Sequence, residues 1–532
     1  MRRPFFLRRL PAVLIVGLAA SFTAASEVPV AEPQPLSADE TRTLMRRLAE
    51  YVVEHHLKRD DSPQRGMIYE YYRPKSHGTF DQYVQGEALD TMHDGAWFAV
   101  AMVHAARAVN DPYYADVLTR RQLPFYLKML NHGDELFDAD VNHARPERRD
   151  VWKSSKEWLL QGREKGFVPY FWDDGGSVSL EMRNDRRAQL AFPGFDRFAA
   201  AGAPNPQYRL SGYSLGSSNH LAQDLAVMLE ASWLLLRKSS DVEHRRLADE
   251  AASGAKHLYE CRLRHHGHIP VVDAAWGLIS GDAKILAGAT DGESPQWLSP
   301  KNHYTAAVRD FQPGVRVTTP GFADDQEYLY FGAIARAGGR LPRPMALKLV
   351  FDAYTQPMLY RMYCDDEPPA PGINRFDLHP YHFVDGRPTD LRSQRKGPGG
   401  KPRPIGSRFG PQNMVVCGWA LQALHAMPGL WDEAYRERLH VDPNLRPEAE
   451  VKAWLERELG AGLRTWRDLF DRYGYVPTGI GAGSMGAGFA WEDYSDAGAY
   501  AHLIAAGAQW LNHLNDRRDW ELHDIPVRPA SN

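Results

Sequence analysis

Cysteine is scarce: Cys261, Cys364 and Cys417 are the only three in 532 residues. Three thiols make no disulfide framework and none stands in a CxxC pair, so stability must come from packing. A basic excess is missing too. The formal net charge of −4 argues against a general nucleic-acid binder, which would carry a basic footprint. Beyond the N-terminal leader, no run reaches the roughly 20 apolar residues that a membrane span needs, so no stable membrane insertion is expected after its removal. Strand signals are few, with residues 166–172 the one short candidate. No fixed repeat period is present, and no linker divides the chain. The nearest candidate, 392–408, is rich in glycine, proline and cationic side chains. It reads more simply as a solvated loop than as a basic flap over an anionic ligand.

The N-terminus has a definite pattern. Arg2, Arg3, Arg8 and Arg9 precede any acid, residues 10–22 are apolar and small, and Thr23-Ala24-Ala25-Ser26 offers a cleavage site. This is the order of a signal peptide over residues 1–26. Arg2-Arg3-Pro4-Phe5-Phe6-Leu7 is compatible with twin-arginine export and equally with an ordinary leader carrying extra arginines. The expected location is periplasmic or secreted, with residues 27–532 as one domain. Loss of four arginines takes the formal charge to −8. The 14 Trp and 24 Tyr fit stacking against sugars, as well as a large aromatic core.

Amphipathic helical periodicity dominates the rest. Helices are expected over 37–57, 91–108, 113–131, 218–238, 243–263, 322–337, 342–363, 411–426, 447–473 and 495–514, with a loop-rich section after 263. Many come in pairs, an apolar helix and then a charged one. The fold class is therefore all-α, with the pairs arranged as an (α/α)6 or (α/α)7 toroid. A stacked superhelix is the competing arrangement.

Five apolar helices open alike, with a polar first turn ahead of the apolar run. The openings are His93-Asp94 before Trp97, Asn219-His220, Asp324-Asp325, Gln412-Asn413, and Glu492-Asp493 with Asp496. Capping explains any one of them. If the inner helices point the same way, all five converge on one cleft, the usual form of a ligand site. Asn302-His303-Tyr304 with Arg309 is a second cluster. His265-His266-x-His268 lacks the neighbouring thiols or carboxylates of a zinc site and reads as surface or structure. No metal or other cofactor is called for.

With Asn219-His220 opening an inner helix, a downstream Tyr and Arg, an export leader and paired helices, the chain from about 85 to 510 resembles the α/α-toroid polysaccharide lyases, which include alginate, glucuronan and chondroitin lyases. The resemblance implies β-elimination on an anionic, uronic-acid-containing polysaccharide. It implies Asn219, His220, Tyr304 and Arg309 as the catalytic set, with Tyr259 and Arg262 as a rival Tyr/Arg pair. Asn219 and a cation would hold the C6 carboxylate and the developing enolate charge. His220 or Tyr304 would take the C5 proton, and Tyr304 could protonate the leaving oxygen. Substrate contacts are expected from His93, Asp94, Trp97, His303, Asp324, Asp325, Asn413 and Glu492. Two alternatives stay open: a glycoside hydrolase using two carboxylates drawn from Asp94, Asp324, Asp325, Glu492 and Asp493, and a non-catalytic glycan-binding helical protein.

Overall fold

A computed structural model describes residues 33–59, 61, 65–69, 71–74, 78–79, 91–132, 165–166, 220–265, 267–290, 317–319, 336, 343–350, 353–354, 371–372, 381–384, 387–388, 405–406, 409–436, 445–477, 479–480 and 495–518. Helix α1 (Ala38–His55) begins at a capping box. Ser37 Oγ accepts from the Glu40 amide at 3.3 Å, and Glu40 Oε2 accepts from the Ser37 amide at 2.9 Å. These reciprocal bonds satisfy two amides that a helix start leaves free. Two short strands follow, β1 (Tyr71–Arg73) and β2 (Gly78–Thr79).

Helix α2 (Thr91–Val109) turns back through Asn110 (φ 56°) into α3 (Pro112–Asp116). A π turn (Val117–Gln122) joins α3 to α4 (Leu123–Asn131). Pro124 has no amide to continue the ladder, and the widened turn sits at that break. Next come α5 (His220–Leu236) and α6 (Val242–His265), an apolar helix and its charged partner joined by a short loop. Then follow α7 (Pro270–Ser280), α8 (Ala283–Thr290), β3 (Val317–Thr319) and α9 (Arg343–Val350). The remaining elements are β4 (Tyr381–Val384), β5 (Arg387–Pro388), β6 (Ile405–Gly406), α10 (Phe409–Ala426), α11 (Leu430–Tyr435), α12 (Glu448–Glu456), a second π turn (Arg457–Ala461), α13 (Gly462–Tyr473), β7 (Gly479–Ile480), β8 (Ser495–Asp496) and α14 (Ala497–Leu514).

Helices dominate the described residues, as the periodicity requires. The strands make only small antiparallel sheets, ordered β2-β1-β8, β3-β4-β5 and β6-β7. Of the expected strand at 166–172 only Gly166 is described, in a turn. Of the expected helix at 322–337 only Arg336 is described, and it is helical. The loop-rich reading after residue 263 is corrected over 270–290, which hold α7 and α8. Pro270 is not a breaker there. It occupies the first turn of α7, where its fixed φ suits a helix start, and Gly281 (φ 72°) ends that helix in the left-handed conformation.

Helices α2, α14 and α10 lie side by side and run in one direction. Trp97 of α2 meets His502 of α14 with ring centroids 4.4 Å apart, while nearer their starts Asp94 Oδ1 approaches Gly498. Gly418 of α10 faces Gln509 of α14, and further on His425 pairs with Asp516 at 2.9 Å. Helix α1 crosses α14 the other way: Tyr51 stacks on Tyr500 at 4.9 Å, whereas Met45 meets Gly507 and Leu36 O accepts from Trp510 Nε1 at 2.8 Å. Helix α13 runs with α1, tied by Arg467 to Glu40 at 3.0 Å and Arg47 to Asp471 at 2.7 Å. Parallel apolar helices thus have antiparallel partners on their flanks, and the first and last of the described helices pack together. Residues 497–512 are buried on every side, consistent with the apolar run of α14. The apolar core is one continuous cluster from Leu36 to Leu511.

Candidate functional site

The shared direction of α2, α10 and α14 sets their polar first turns at one end of the helix row. His93 and Asp94 lie in the first turn of α2, and Gln412 and Asn413 are the fourth and fifth residues of α10. Asp496 is the N-cap of α14: its Oδ1 accepts from the amides of Gly498 and Ala499 at 2.9 and 3.3 Å. Gly498 lets α2 approach. A Cβ there would stand 2.9 Å from Asp94 Oδ1 and 3.2 Å from Asp496 Oδ1. Two carboxylate oxygens therefore lie within 3.2 Å of one point, on helices from opposite ends of the sequence. Beside them, Trp97 packs edge-on to His502, whose Nδ1–H donates to Gly498 O. The Tyr126 ring covers Gly95, and Gln122 Nε2 donates to Gly95 O. Burial, reinforced by the charge of Asp94, pushes the Tyr126 phenol well above its usual range and keeps it protonated.

A second polar group supports the turn that carries Asp496. Tyr71 of β1 stands opposite Asp496 of β8, and Tyr72 opposite Ser495. His56 is fully buried and bonded through both ring nitrogens. Tyr69 O can only accept, so Nδ1–H donates to it at 2.8 Å, and Nε2 accepts from Ser495 Oγ at 2.9 Å. Burial holds the His56 pKa down at about 4. The Ser495 hydroxyl is buried as well, so the pair positions β8 and meets no solvent.

A third group lies at the junction of α6 and α7. The short α5–α6 loop makes these helices antiparallel, so the end of α6 lies toward the start of α5, where His220 opens the helix. Tyr259 and Arg262 of α6 meet His268 of the connecting loop and Asp273 and Trp276 of α7. His268 Nδ1 is 2.9 Å from Asp273 Oδ2. Burial raises the pKa of Asp273, and His268 and Arg262 oppose that rise. Within α5, Glu230 takes two hydrogen bonds from Arg336, at 2.7 and 2.5 Å, in a fully buried ion pair.

The site residues expected from sequence divide as follows. Asp94, Trp97 and Asn413 are described and buried, at 0%, 3% and 0% exposure. Asp94 and Trp97 share one cluster; Asn413 stands at the same end, its Nδ2 donating to Cys417 Sγ at 3.8 Å. His93 and His220 are placed at helix openings. Asn219, His303, Tyr304, Arg309, Asp324, Asp325 and Glu492 lie outside the described residues. From sequence, Asp496 reads as a helix opener and not as Asp94's neighbour. That meeting joins positions 402 residues apart in sequence and leaves no local signal. Asp273 carried a faint one: an acid in the first turn after a proline-started helix, five residues past a histidine. Among the described residues no group of three or more His, Cys, Asp or Glu is placed to hold a metal ion, and no helix is long and apolar enough to cross a membrane. No protein-family model, curated protein or solved structure matches the chain.

Proposed function

We propose that this is an exported enzyme that cleaves a uronic-acid polysaccharide by β-elimination, with its helical hairpins closed into an α/α toroid. One observation carries the reading. Helices α2, α10 and α14 run parallel and gather polar first turns at one end, beside buried aromatic and histidine rings. In this reading Asn219-His220 adds the opening of α5 to the same mouth. Asn219 and Arg309 hold the C6 carboxylate and the enolate-like charge that develops from it. His220 or Tyr304 takes the C5 proton, the electron pair forms the C4–C5 double bond, and the glycosidic oxygen leaves C4 with a proton from Tyr304. Tyr259 with Arg262 is the alternative Tyr/Arg pair. Residues 1–26 direct the chain to the periplasm or the exterior. No cofactor takes part in this scheme.

The approach of Asp94 to Asp496 favours a second reading, glycoside hydrolysis by a carboxylate pair. Acid and base carboxylates stand about 5–5.5 Å apart in retaining enzymes and about 6.5–9.5 Å in inverting ones. A panel of alginate, glucuronan, chondroitin and pectic substrates separates the two. New absorbance in the unsaturated-uronate band is expected for elimination. New reducing ends without it would overturn elimination in favour of hydrolysis.

A further inference from the structure

The junction of α6 and α7 holds a half-open arrangement that the helix openings do not account for. The His268 side chain is 54% exposed, whereas the Asp273 side chain bonded to it is 9% exposed. A carboxylate oxygen only accepts, so in the neutral imidazole Nδ1 carries the proton and Nε2 keeps its lone pair on the opposite side of the ring. The aspartate fixes both the tautomer and the orientation of an imidazole that solvent reaches. It does this without capping α7, whose N-cap position, Ile269, makes no side-chain cap bond. Tyr259 lies alongside, its ring centroid 6.4 Å from that of His268 and 6.4 Å from that of Trp276. Tyr259 and Trp276 are both partly exposed. Arg262 is buried behind them, close enough for its charge to act on Asp273. The face thus offers two aromatic rings in partial contact with water and one pre-oriented hydrogen-bond acceptor. Those are the needs of a ligand that is apolar on its face and hydroxylated at its edge.

We propose that Tyr259, His268 and Trp276 form a carbohydrate-binding subsite, in which a pyranose ring lies on the two aromatic side chains and a hydroxyl donates to His268 Nε2. Asp273 is the positioning residue. The inference rests on the carbohydrate reading above but not on the chemistry of cleavage. Titrations of the mature chain with uronate and with neutral oligosaccharides, followed by calorimetry, test it. His268→Ala and Trp276→Ala are each expected to weaken binding at least tenfold. Asp273→Asn should weaken it less, and His268→Gln, which keeps an acceptor, should recover part of the loss. His268→Ala also takes a hydrogen bond from the buried Asp273 carboxylate, so each variant is titrated below its own melting transition, where the change reports binding. A tenfold preference for the uronate series identifies an acidic sugar as the ligand, and equal affinities identify any pyranose. Wild-type affinity in both alanine variants, or no binding by the wild type, would overturn the subsite. If unsaturated products form while these affinities do not change, the subsite fails and the elimination reading stands. If the variants lose binding in a protein that makes no such product, the subsite stands alone.

Discussion

At the scale of single residues, His56 couples burial to pH. Its pKa falls from 6.5 to about 4 because burial disfavours the cation, and both ring nitrogens serve the neutral form. Above pH 6.5 the ring is neutral in the folded and unfolded chains, and no stability is lost. As pH falls from 6.5 toward 4 the unfolded chain takes up the proton first, and roughly 3 kcal/mol of stability is withdrawn. Denaturant midpoints measured across this window should fall with pH, and His56→Gln should flatten that slope. The Glu230–Arg336 pair gives a different expectation. Removing Arg336 takes two charge-assisted hydrogen bonds from the buried Glu230 carboxylate, so Arg336→Met should destabilise by about 3–5 kcal/mol. Replacing both partners with apolar residues should restore much of that, as a double-mutant cycle in denaturant can show. Chemistry of this kind was only partly legible in the sequence. Asp94 stood out as a polar side chain at the head of an apolar helix, but its approach to Asp496 is purely tertiary.

At the scale of elements, the long helices were legible because burial on one or all faces imposes its own period on the sequence. Helices α1, α2, α5, α6, α10 and α14 fall within two residues of the positions the pattern gave. The two-turn α8 and the three-turn α7 were not legible. They are too short to show a period, and Pro270 and Gly281 look like loop punctuation when they are in fact start and stop signals. The direction of one helix relative to another is written in no local signal. It comes from contacts such as Gly498 with Asp94, which require a residue without a Cβ. Gly498→Ala would place a methyl 2.9 Å from Asp94 Oδ1. It should destabilise by about 1–3 kcal/mol through overpacking. In an Asp94→Ala background the same substitution should cost less, because the nearest atom it strikes is gone and only Asp496 Oδ1 at 3.2 Å and Trp97 Cζ3 at 3.3 Å remain. Equal losses in both backgrounds, read from unfolding midpoints, would show that the Asp94 contact does not set the cost.

At the scale of the whole molecule, the first and last described elements come together. Helix α14 is wrapped by α1 and α2, and β8 pairs with β1. A fold that places the last helix between early ones shares one core from Leu36 to Leu511. The same arrangement aligns the first turns of α2, α10 and α14, and that alignment underlies the proposed uronate site. The most direct test is the rate at which unsaturated uronate forms when the mature protein acts on its best polymer, compared with His220→Ala and Asn219→Ala. Steady product formation is expected from the wild type. Each variant should lose about 10²-fold or more, as for removal of a proton-transfer or charge-stabilising group, with an unchanged melting curve. No unsaturated product from the wild type on any uronate polymer, or variants within about threefold of it, would contradict the assignment.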